Sequence, residues 1–306
     1  MSTATLLPAR DIQLINEHTY NRKHIDGYIK EEIEANPDVM AKVHQGVQLL
    51  NDWMSQDYYE SKNKRLKQLE TLDLEQLVID IFVGIAYCQK PELFTSVTSQ
   101  LASKLKFSDK PEAIQTIAEI TAVLCYTDAF DIGKANEQAS LQVLSNIPLS
   151  SKLLGYIAKS TYLPPMLCQP RKLRSNYQSA YLTHNDSLIL GKGNHHDGDI
   201  CLDVLNTQNS VKLKLDTDFL STIEEEPKEA PDTAVKWEQW QKHKLESYRM
   251  YSLIARQGNC FHLTHKVDKR GRIYAQGYHI HTQGTAFKKA AIELYDEEIV
   301  TGVPTN

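Results

Sequence analysis

An aspartate and a glycine mark the turn of a predicted hairpin in the C-terminal third of the chain. Residues 261–267 read as one strand, residues 272–275 as the returning strand, and residues 268–271 as the turn between them. Asp268 can fold back onto the local backbone, and Gly271 can take the positive φ that a tight turn needs. The pattern therefore predicts a β-hairpin with charged residues at its tip.

Arg270 and Arg272 are the residues of this hairpin that could bind an anion. They are two positions apart, so they project from one face if both adopt strand geometry, and Tyr274 extends the same row. Each guanidinium could hold phosphate oxygens with two hydrogen bonds. On the turn alone, a surface hairpin with incidental arginines is the simpler interpretation. Residues outside the hairpin are needed to distinguish it from an anion-binding hairpin.

Histidine and aspartate are concentrated in a second segment, where they could ligate a metal ion. The residues concerned are His195, His196, Asp197 and Asp199. Adjacent histidines on a strand point to opposite faces, and the glycines and the asparagine around them suit an exposed turn. A solvated hairpin loop is therefore the favoured interpretation, and a small metal hydrolase built on these four residues is the alternative.

Charge is distributed unevenly along the 306 residues. The whole chain is 41% hydrophobic and 24% charged with a net charge of −5, which argues against general disorder and against bulk-charge coating of nucleic acid. Residues 236–289 nevertheless contain eleven Lys and Arg against three Asp and Glu, an excess of +8. A solvated helix face explains part of this excess, but its size indicates a surface for nucleic acid or phosphate.

Membrane and secreted classes are not expected. The longest apolar stretch, residues 77–88, is interrupted by Asp80 and is shorter than the roughly 20 residues of a membrane span. The first residues lack a basic leader and an apolar segment. The five cysteines are widely spaced without a CxxC pair, which indicates reduced thiols in a cytoplasm-like compartment and neither a disulfide framework nor a zinc site.

Helices are expected to dominate up to about residue 160. Asp73 is a good N-cap with Gln76 in a capping-box-like position, and apolar residues follow at the spacing of one helix face. A second helix is predicted from Pro91 with Leu93 facing inward. A third is predicted from residues 109–111, where proline suits the first turn. These stripes predict the core of a helical bundle.

The pattern changes after Pro164 and Pro165, which favour an extended chain. Residues 177–190 mix aromatic, β-branched and turn residues, as strands and hairpins do. Residues 224–232 form an acidic, proline-broken segment. A long helix is predicted after it, over about residues 233–257.

The predicted hairpin closely resembles a motif of the single-subunit RNA polymerases of phages and mitochondria. Asp268, Gly271 and Arg272 occupy the defining positions of that family's DxxGR motif. The resemblance implies that the hairpin lies near an active centre and contacts the template strand and the RNA–DNA hybrid.

Residues on both sides of the hairpin extend the resemblance. Downstream, Gln283 and Gly284 match the family, although Thr282 replaces the usual proline. Upstream, residues 163–166 with Pro170 and Tyr181 are similar to the stretch that joins the N-terminal and polymerase domains, and residues 205–210 to the helix after it. The matches cover roughly residues 150 to 295.

Taken with the helical pattern, the resemblance implies a mainly α fold with a smaller β part. The expected divisions are a helical N-terminal domain over residues 1–160, a mixed strand and helix connection over 161–223, an acidic linker over 224–233, a thumb-like helix over 234–258, and the start of a polymerase palm with the hairpin over 259–306.

Polymerase chemistry needs two metal ions held by carboxylates of separated palm motifs. In the family those motifs lie downstream of DxxGR, and no match to them follows Gly284 here. The resemblance therefore implies the smaller, N-terminal subunit of a split podovirus RNA polymerase, inactive alone. The larger partner would hold the catalytic aspartates and Mg²⁺, in the cytoplasm of the infected bacterial host. The alternative is a stand-alone DNA-binding or transcription-regulatory protein derived from a polymerase fragment.

The resemblance implies nucleic-acid binding, without catalysis or metal binding, for eight residues: Asp268, Arg270, Gly271, Arg272, Tyr274, Gln283, Gly284 and Lys289. Arg272 would hold template or hybrid phosphate, assisted by Arg270 and Lys289. Asp268 and Gly271 would shape the hairpin, and Tyr274 and Gln283 would line the path of the nucleic acid. Three neighbouring lysines, expected to add salt-sensitive affinity, are Lys266, Lys269 and Lys288.

Overall fold

The computed structural model describes residues 7–134, 140–160, 162–191, 194–297 and 302. Lys192 and Gly193 of the predicted turn, and residues 1–6 of the segment that lacks a leader pattern, lie outside the described residues. Of those described, 52% are helical and 11% lie in strands, which confirms a mainly α fold with a smaller β part. All five cysteines are free thiols.

The chain forms two compact units. One comprises Arg22–Ser160, and the other combines the residues up to Asn21 with those after Ser160. The predicted N-terminal domain of residues 1–160 therefore differs from the observed unit, because its first helix packs with the C-terminal part of the chain. None of the helices in the described ranges has the length and apolar character needed to cross a membrane.

The first unit, called the helical unit below, contains seven α-helices and a small sheet in its described part. The helices are α2 (Arg22–Ala35), α3 (Pro37–Met54), α4 (Glu60–Leu69), α5 (Leu74–Ile85), α6 (Phe94–Leu101), α7 (Lys110–Leu124) and α8 (Ser151–Lys159). The strands β1 (Glu92–Leu93), β2 (Phe130–Lys134) and β3 (Leu141–Ser145) pair antiparallel in the order β1-β3-β2.

Two predicted helix starts are confirmed by their capping bonds. The Asp73 side chain accepts a hydrogen bond from the Gln76 amide (3.1 Å) at the start of α5. The Asp109 side chain accepts one from the Glu112 amide (2.8 Å) at the start of α7, where Pro111 lies in the first turn. Each cap satisfies an amide that has no partner inside its helix.

The helix predicted from Pro91 is wrong at its start. Glu92 and Leu93 pair as strand β1 with Val143 and Gln142 of β3, and the helix begins only at Phe94. Leu93 is consequently 45% exposed instead of facing inward. The small sheet was not predicted, because its strands are short and lie between strongly periodic helices.

The apolar faces of the helices meet in one continuous core. Phe82 of α5 and Phe130 of β2 are fully buried and touch edge to face, with ring centroids 6.3 Å apart. Ile25, Val43 and Ile117 contribute further buried side chains from three other helices. Each fully buried aliphatic or aromatic side chain stabilises the fold by about 1.5–3 kcal/mol.

The second unit, called the hairpin unit below, has more irregular backbone. Its helices are α1 (Ala9–Tyr20), α9 (Leu202–Ser210), α10 (Thr217–Thr222), α11 (Ala234–Arg256) and α12 (Ala286–Ala290). Strand β4 (Leu213–Leu215) pairs antiparallel with β7 (Ile292–Leu294), and β5 (His265–Val267) pairs antiparallel with β6 (Ile273–Ala275).

Buried polar side chains attach α1 to this unit. The Glu17 carboxylate accepts hydrogen bonds from the amides of Leu182 (2.9 Å) and Thr183 (2.9 Å), and from the Thr183 hydroxyl (2.6 Å). Gln13 accepts one from the Leu167 amide (2.9 Å). Both α1 side chains are almost completely buried, which explains why the first helix packs with this unit.

Residues 177–190 do not form the predicted strands. Only isolated bridges join Tyr177 to Ser187 and Ile189 to Val267 in the described chain. The Leu188 and Leu190 amides donate to the carbonyls of Asn176 (2.8 Å) and Val267 (2.7 Å). Side chains supply further partners: Arg171 donates to the Ser179 carbonyl (2.8 Å), and Glu17 accepts from the Leu182 and Thr183 amides. Scattered bonds of both kinds take the place of a regular strand ladder.

The long helix predicted after the acidic segment is confirmed as α11, with Thr233 as its N-cap. The segment before it is not a free linker throughout. Glu224 forms an ion pair with Lys244 of α11 (2.7 Å), and Glu225 is only 4% exposed. The acidic segment is therefore held against the helix that follows it.

Candidate nucleic-acid interface

The β5–β6 hairpin closes through a three-residue loop. Val267 pairs with Ile273, the Asp268 amide donates to the Arg272 carbonyl (2.9 Å), and the Gly271 amide donates to the Asp268 carbonyl (3.0 Å). Gly271 has φ +82°, which other residues rarely adopt. The loop has the hydrogen-bond pattern of a hairpin with a glycine bulge, and the predicted conformation of Gly271 is confirmed.

The Asp268 carboxylate organises this loop. Its Oδ1 accepts hydrogen bonds from the amides of Arg270 (2.9 Å) and Arg272 (3.0 Å), as predicted for an aspartate that folds back on the turn. Desolvation acts to raise the pKa of Asp268, but hydrogen bonds from the backbone and side chain of Arg272 outweigh it and hold the pKa below its usual value. The carboxylate is therefore charged.

Both arginines lie beside the other oxygen of that carboxylate. In Arg272, Nε donates to Asp268 Oδ2 (2.7 Å) and Nη2 lies 2.6 Å from the same atom, while Nε of Arg270 lies 3.6 Å away. Arg270 belongs to the loop, so a shared carboxylate and not strand alternation brings the two guanidiniums together. The side chains of Arg272 and Arg270 remain 53% and 71% exposed, so part of each guanidinium stays accessible to an anion.

Tyr274 extends this row along β6. The Arg272 guanidinium carbon lies 5.7 Å from the centroid of the Tyr274 ring. Tyr274 pairs across the hairpin with Lys266, whose ammonium forms an ion pair with Asp186 (2.8 Å). The face with Arg272 and Tyr274 therefore presents a cation beside an aromatic ring, whereas the Lys266 charge is already paired.

Gln283 is bound to the outer edge of β6. Its side-chain amide donates to the Ile273 carbonyl (3.1 Å) and accepts from the Ala275 amide (3.0 Å), as a neighbouring strand would. The amide is therefore used to hold the hairpin, and its role in lining a nucleic-acid path stays a prediction. Gly284 leaves room for a close approach: a Cβ there would lie 2.9 Å from the Lys288 side chain.

The lysines near the hairpin differ in their access to solvent. Lys289 on α12 and Lys269 in the loop are exposed. Lys288 is only 8% exposed and donates to the Tyr278 carbonyl (3.0 Å), and its burial lowers its pKa. The expectation that Lys288 adds surface affinity is therefore wrong, because its ammonium group bonds inside the unit.

The helix α9 supports β5 through Asn209. The resemblance implies a helix at residues 205–210 but does not predict this contact. Asn209 of α9 is buried; its side-chain oxygen lies 2.9 Å from His265 Nδ1, and its carbonyl lies 3.1 Å from His262 Nδ1. Burial lowers the pKa of both histidines, so both are neutral near pH 7. The available signal was Asn209 four residues after buried Leu205, on the same side of α9.

The segment with the paired histidines is an exposed loop. His195 Nδ1 lies 3.1 Å from the Ser187 hydroxyl, and His195 Nε2 lies 3.2 Å from Asp197. This order resembles a nucleophilic triad, but Asp197 is fully exposed and the Ser187 hydroxyl already accepts from the Ile189 amide (3.1 Å). Within the described ranges, no three His, Cys, Asp or Glu side chains could hold a metal ion together.

An apolar groove of about 360 Å³ lies on the other face of the hairpin from Arg272 and Tyr274. Leu213 and Leu263 contribute to its lining, with Ile273 and His265 from the two strands of the hairpin. The hairpin thus separates an aromatic and basic face from an apolar one.

Comparison with known proteins gives a distant link to transcription enzymes. No family model matches the chain. The chain is similar to a probable DNA-directed RNA polymerase of Gelasinospora sp. (strain G114), with 26% identity over 177 residues. The match covers 53% of this chain and 19% of that protein's length. This similarity supports a polymerase-related role for the chain.

Most of the residues that the resemblance selected lie together. Asp268, Arg270, Gly271 and Arg272 form one hydrogen-bonded loop, Tyr274 lies on the strand that returns from it, and the Gln283 side chain bonds to the edge of that strand. This arrangement offers two partly free guanidiniums and one aromatic ring on an exposed face. Such a face can hold phosphate oxygens and contact a sugar or a base, without any proton transfer by its residues.

Proposed function

We propose that this chain is the smaller, N-terminal subunit of a split phage DNA-dependent RNA polymerase. The hairpin would hold the template strand or the RNA–DNA hybrid, with Arg272 on a phosphate and Arg270 and Lys289 assisting. The partner subunit would perform nucleotidyl transfer, and the assembly would work in the cytoplasm of the infected bacterial host.

The observation that carries the proposal is the geometry of the DxxGR-like loop. Asp268 fixes the guanidiniums of Arg270 and Arg272 beside one oxygen atom while both side chains stay exposed. Pre-positioned donors lose less conformational entropy on binding, and correct positioning of a template can change a rate by orders of magnitude. The similarity to a probable DNA-directed RNA polymerase also supports a polymerase-related role.

Mg²⁺ belongs to the partner in this proposal. The Asp268 carboxylate has both oxygens engaged, one by two backbone amides and one by Arg272, so it does not fit a metal-ligand role. The match covers 19% of the probable polymerase, and the proposal assigns the catalytic elements to a second chain. In that chain, carboxylate-bound Mg²⁺ would activate the 3′-hydroxyl and stabilise the leaving pyrophosphate.

Reconstitution tests the proposal. The full chain is purified and combined with a second phage polypeptide that carries the two aspartate motifs of a polymerase palm. We expect the two to co-purify, and RNA synthesis from a single-stranded template to require both, Mg²⁺ and nucleoside triphosphates. Synthesis by this chain alone, or no association with such a polypeptide, would reject the split-subunit proposal.

A further inference from the structure

The first half of α11 carries large rings on a side that is not buried. The buried residues of the helix, Ser247, Tyr251 and Ile254, all lie in its second half. Trp240 lies two helical turns before Ser247 on the same side of the helix, and Trp237 lies three residues before Trp240. Trp237 is 51% exposed and Trp240 is half-buried. The apolar side of α11 therefore continues into solvent as indole rings.

One more ring of α11, that of His243, and two rings from outside the helix continue this surface. The His243 ring lies 5.5 Å from those of Trp240 and Tyr278. Tyr278, 44% exposed, stacks on Tyr162 with centroids 4.1 Å apart and planes 4° from parallel. We call Trp237, Trp240, His243, Tyr278 and Tyr162 the aromatic row. It offers ring faces and edges on the hairpin unit, formed by residues other than those of the DxxGR-like loop.

Lysines flank the aromatic row, and the acidic segment neutralises two of them. Lys236 forms an ion pair with Asp232 (2.8 Å), and Lys244 forms one with Glu224 (2.7 Å). Both lysines lie beside Trp240 on the helix surface, four residues before and after it. Glu225 of the same acidic segment is buried. Carboxylates thus occupy positions beside the rings where phosphate groups could lie.

We infer that the aromatic row is a binding site for single-stranded nucleic acid, in which unpaired bases stack on the rings and phosphates displace Glu224 and Asp232 from the lysines. Aromatic platforms with flanking cations are how proteins bind single strands without reading sequence. A protein partner would be expected to use the exposed aliphatic residues of the same helix, but Val235 and Leu245 lie outside the row on other sides of α11.

This inference goes beyond the proposed hairpin contact and does not depend on a partner subunit. Its prediction concerns the full chain alone, bound to a fluorescein-labelled oligothymidylate and followed by fluorescence anisotropy. We expect measurable binding that weakens as salt is added. Trp237→Ala combined with Trp240→Ala should weaken binding at least about tenfold, because stacking on an aromatic side chain contributes strongly for each base.

Matched variants separate the row from the rest of the surface. Val235→Ala and Leu245→Ala remove exposed apolar groups of the same helix and should leave the dissociation constant within about twofold of wild type. Arg272→Ala tests the hairpin separately: loss of binding in that variant, with full binding in the double alanine variant, would place the oligothymidylate on the hairpin and overturn this inference, so failure of the hairpin proposal and failure of this one are distinguishable. Glu224→Gln combined with Asp232→Asn should tighten binding several-fold, because the lysines lose their competing carboxylates.

Phenylalanine variants control for folding. Trp237→Phe combined with Trp240→Phe keeps ring faces and should retain most of the affinity, and exposed Trp237 can be changed to alanine alone. Wild-type affinity in the double alanine variant, or weaker binding in the Glu224→Gln, Asp232→Asn variant, would overturn the inference. The inference would also be overturned if the double alanine variant kept its oligothymidylate binding but no longer co-purified with a second subunit. The aromatic row would then contact protein.

Discussion

The helical unit and the hairpin unit bury their polar groups in different ways. Apart from Arg65, the buried polar side chains described in the helical unit are serines and threonines. Most of these bond to a carbonyl one turn earlier, as Thr98 does to Phe94 (2.9 Å) and Thr121 to Ile117 (2.6 Å). Arg65 is the exception, with Thr116 and Glu119 as its partners (2.7 and 2.8 Å).

The hairpin unit instead buries carboxylate, amide, imidazole and ammonium groups that bridge distant parts of the chain. Glu17 bonds to residues 182 and 183, Asn209 lies beside His262 and His265, and Lys288 bonds to Tyr278. A helix satisfies its own backbone, whereas irregular backbone needs side chains as partners. The fold of the hairpin unit should therefore depend on single polar residues, and that of the helical unit on summed apolar contacts.

The largest expected effect is that of Glu17→Ala. The substitution removes the acceptor of four hydrogen bonds, one donated by the buried Gln13 side chain and three by the part-buried Leu182 and Thr183, and a lost bond costs up to about 1–3 kcal/mol where water cannot replace the acceptor. We expect the hairpin unit to lose about 3 kcal/mol, and the amides of Leu182 and Thr183 to lose hydrogen-exchange protection. Urea unfolding and exchange mass spectrometry measure the two effects.

Glu238→Ala is the matched control, because it removes an exposed carboxylate from α11 in the same unit. It should change the free energy of unfolding by no more than about 0.5 kcal/mol. If both variants lost the same small amount, the buried polar contacts of α1 would not hold the hairpin unit together, and the contrast between the two units would fail.

The second-largest expected effect is a loss of folding stability in acid. Burial, with contributions from His243 and Lys288, lowers the pKa of buried His279 to about 4. The unfolded chain titrates near pH 6.5, so it binds a proton before the folded chain does. The contribution of His279 to stability is therefore complete above about pH 6.5 and falls toward about pH 4, by about 2 kcal/mol between pH 7 and pH 5.

Urea unfolding of the wild type and of His279→Asn at both pH values checks this effect. The variant keeps a polar group near the Ser247 hydroxyl, which lies 2.8 Å from His279 Nδ1. It should lose much less stability on acidification. Burial raises the pKa of nearby Glu225, which acts in the opposite direction at lower pH, so the difference between the two proteins is the informative quantity. Equal pH slopes would contradict the assignment to His279.

The contrast between the units also explains which parts of the structure could be predicted. Periodicity and caps located α5 and α7, because helices and their end groups are specified by residues near in sequence. Asp268 and Gly271 were predicted for the same reason, since a turn is local. Residues 177–190 were mispredicted because some of their backbone partners lie far away in the sequence, as Glu17 lies 165 residues from Leu182. Spacing carries no signal for such contacts.

The third effect is on activity. Arg272→Ala removes the guanidinium that Asp268 holds on the exposed face, and loss of a charge-assisted contact of about 1.5–3 kcal/mol should lower RNA synthesis by the reconstituted pair roughly ten- to hundredfold. Arg272→Lys should rescue poorly, because an ammonium lacks the planar fork. Co-purification with the partner should persist.

Lys269→Ala is the control for Arg272→Ala, since it removes an exposed cation from the same loop. It should reduce synthesis only slightly and mainly at low salt. Near-normal synthesis by Arg272→Ala would reject the phosphate contact. Loss of partner binding together with activity would assign Arg272 to the subunit interface.

The smallest effect compares one glycine from each unit. Gly271 has φ +82°, and a Cβ there would meet no atom within 4 Å, so Gly271→Ala is penalised by conformation alone, by about 1 kcal/mol. Gly27 lies inside α2 and also has open space around it, so Gly27→Ala should stabilise the helical unit by about 0.5–1 kcal/mol. Urea unfolding measures both changes.

Gly271→Asn is the control for backbone conformation. Because asparagine enters the left-handed region more readily than alanine, Gly271→Asn should lose less stability than Gly271→Ala. Equal losses for the two substitutions at Gly271, or destabilisation by Gly27→Ala, would show that side-chain space and not backbone conformation determines the effect.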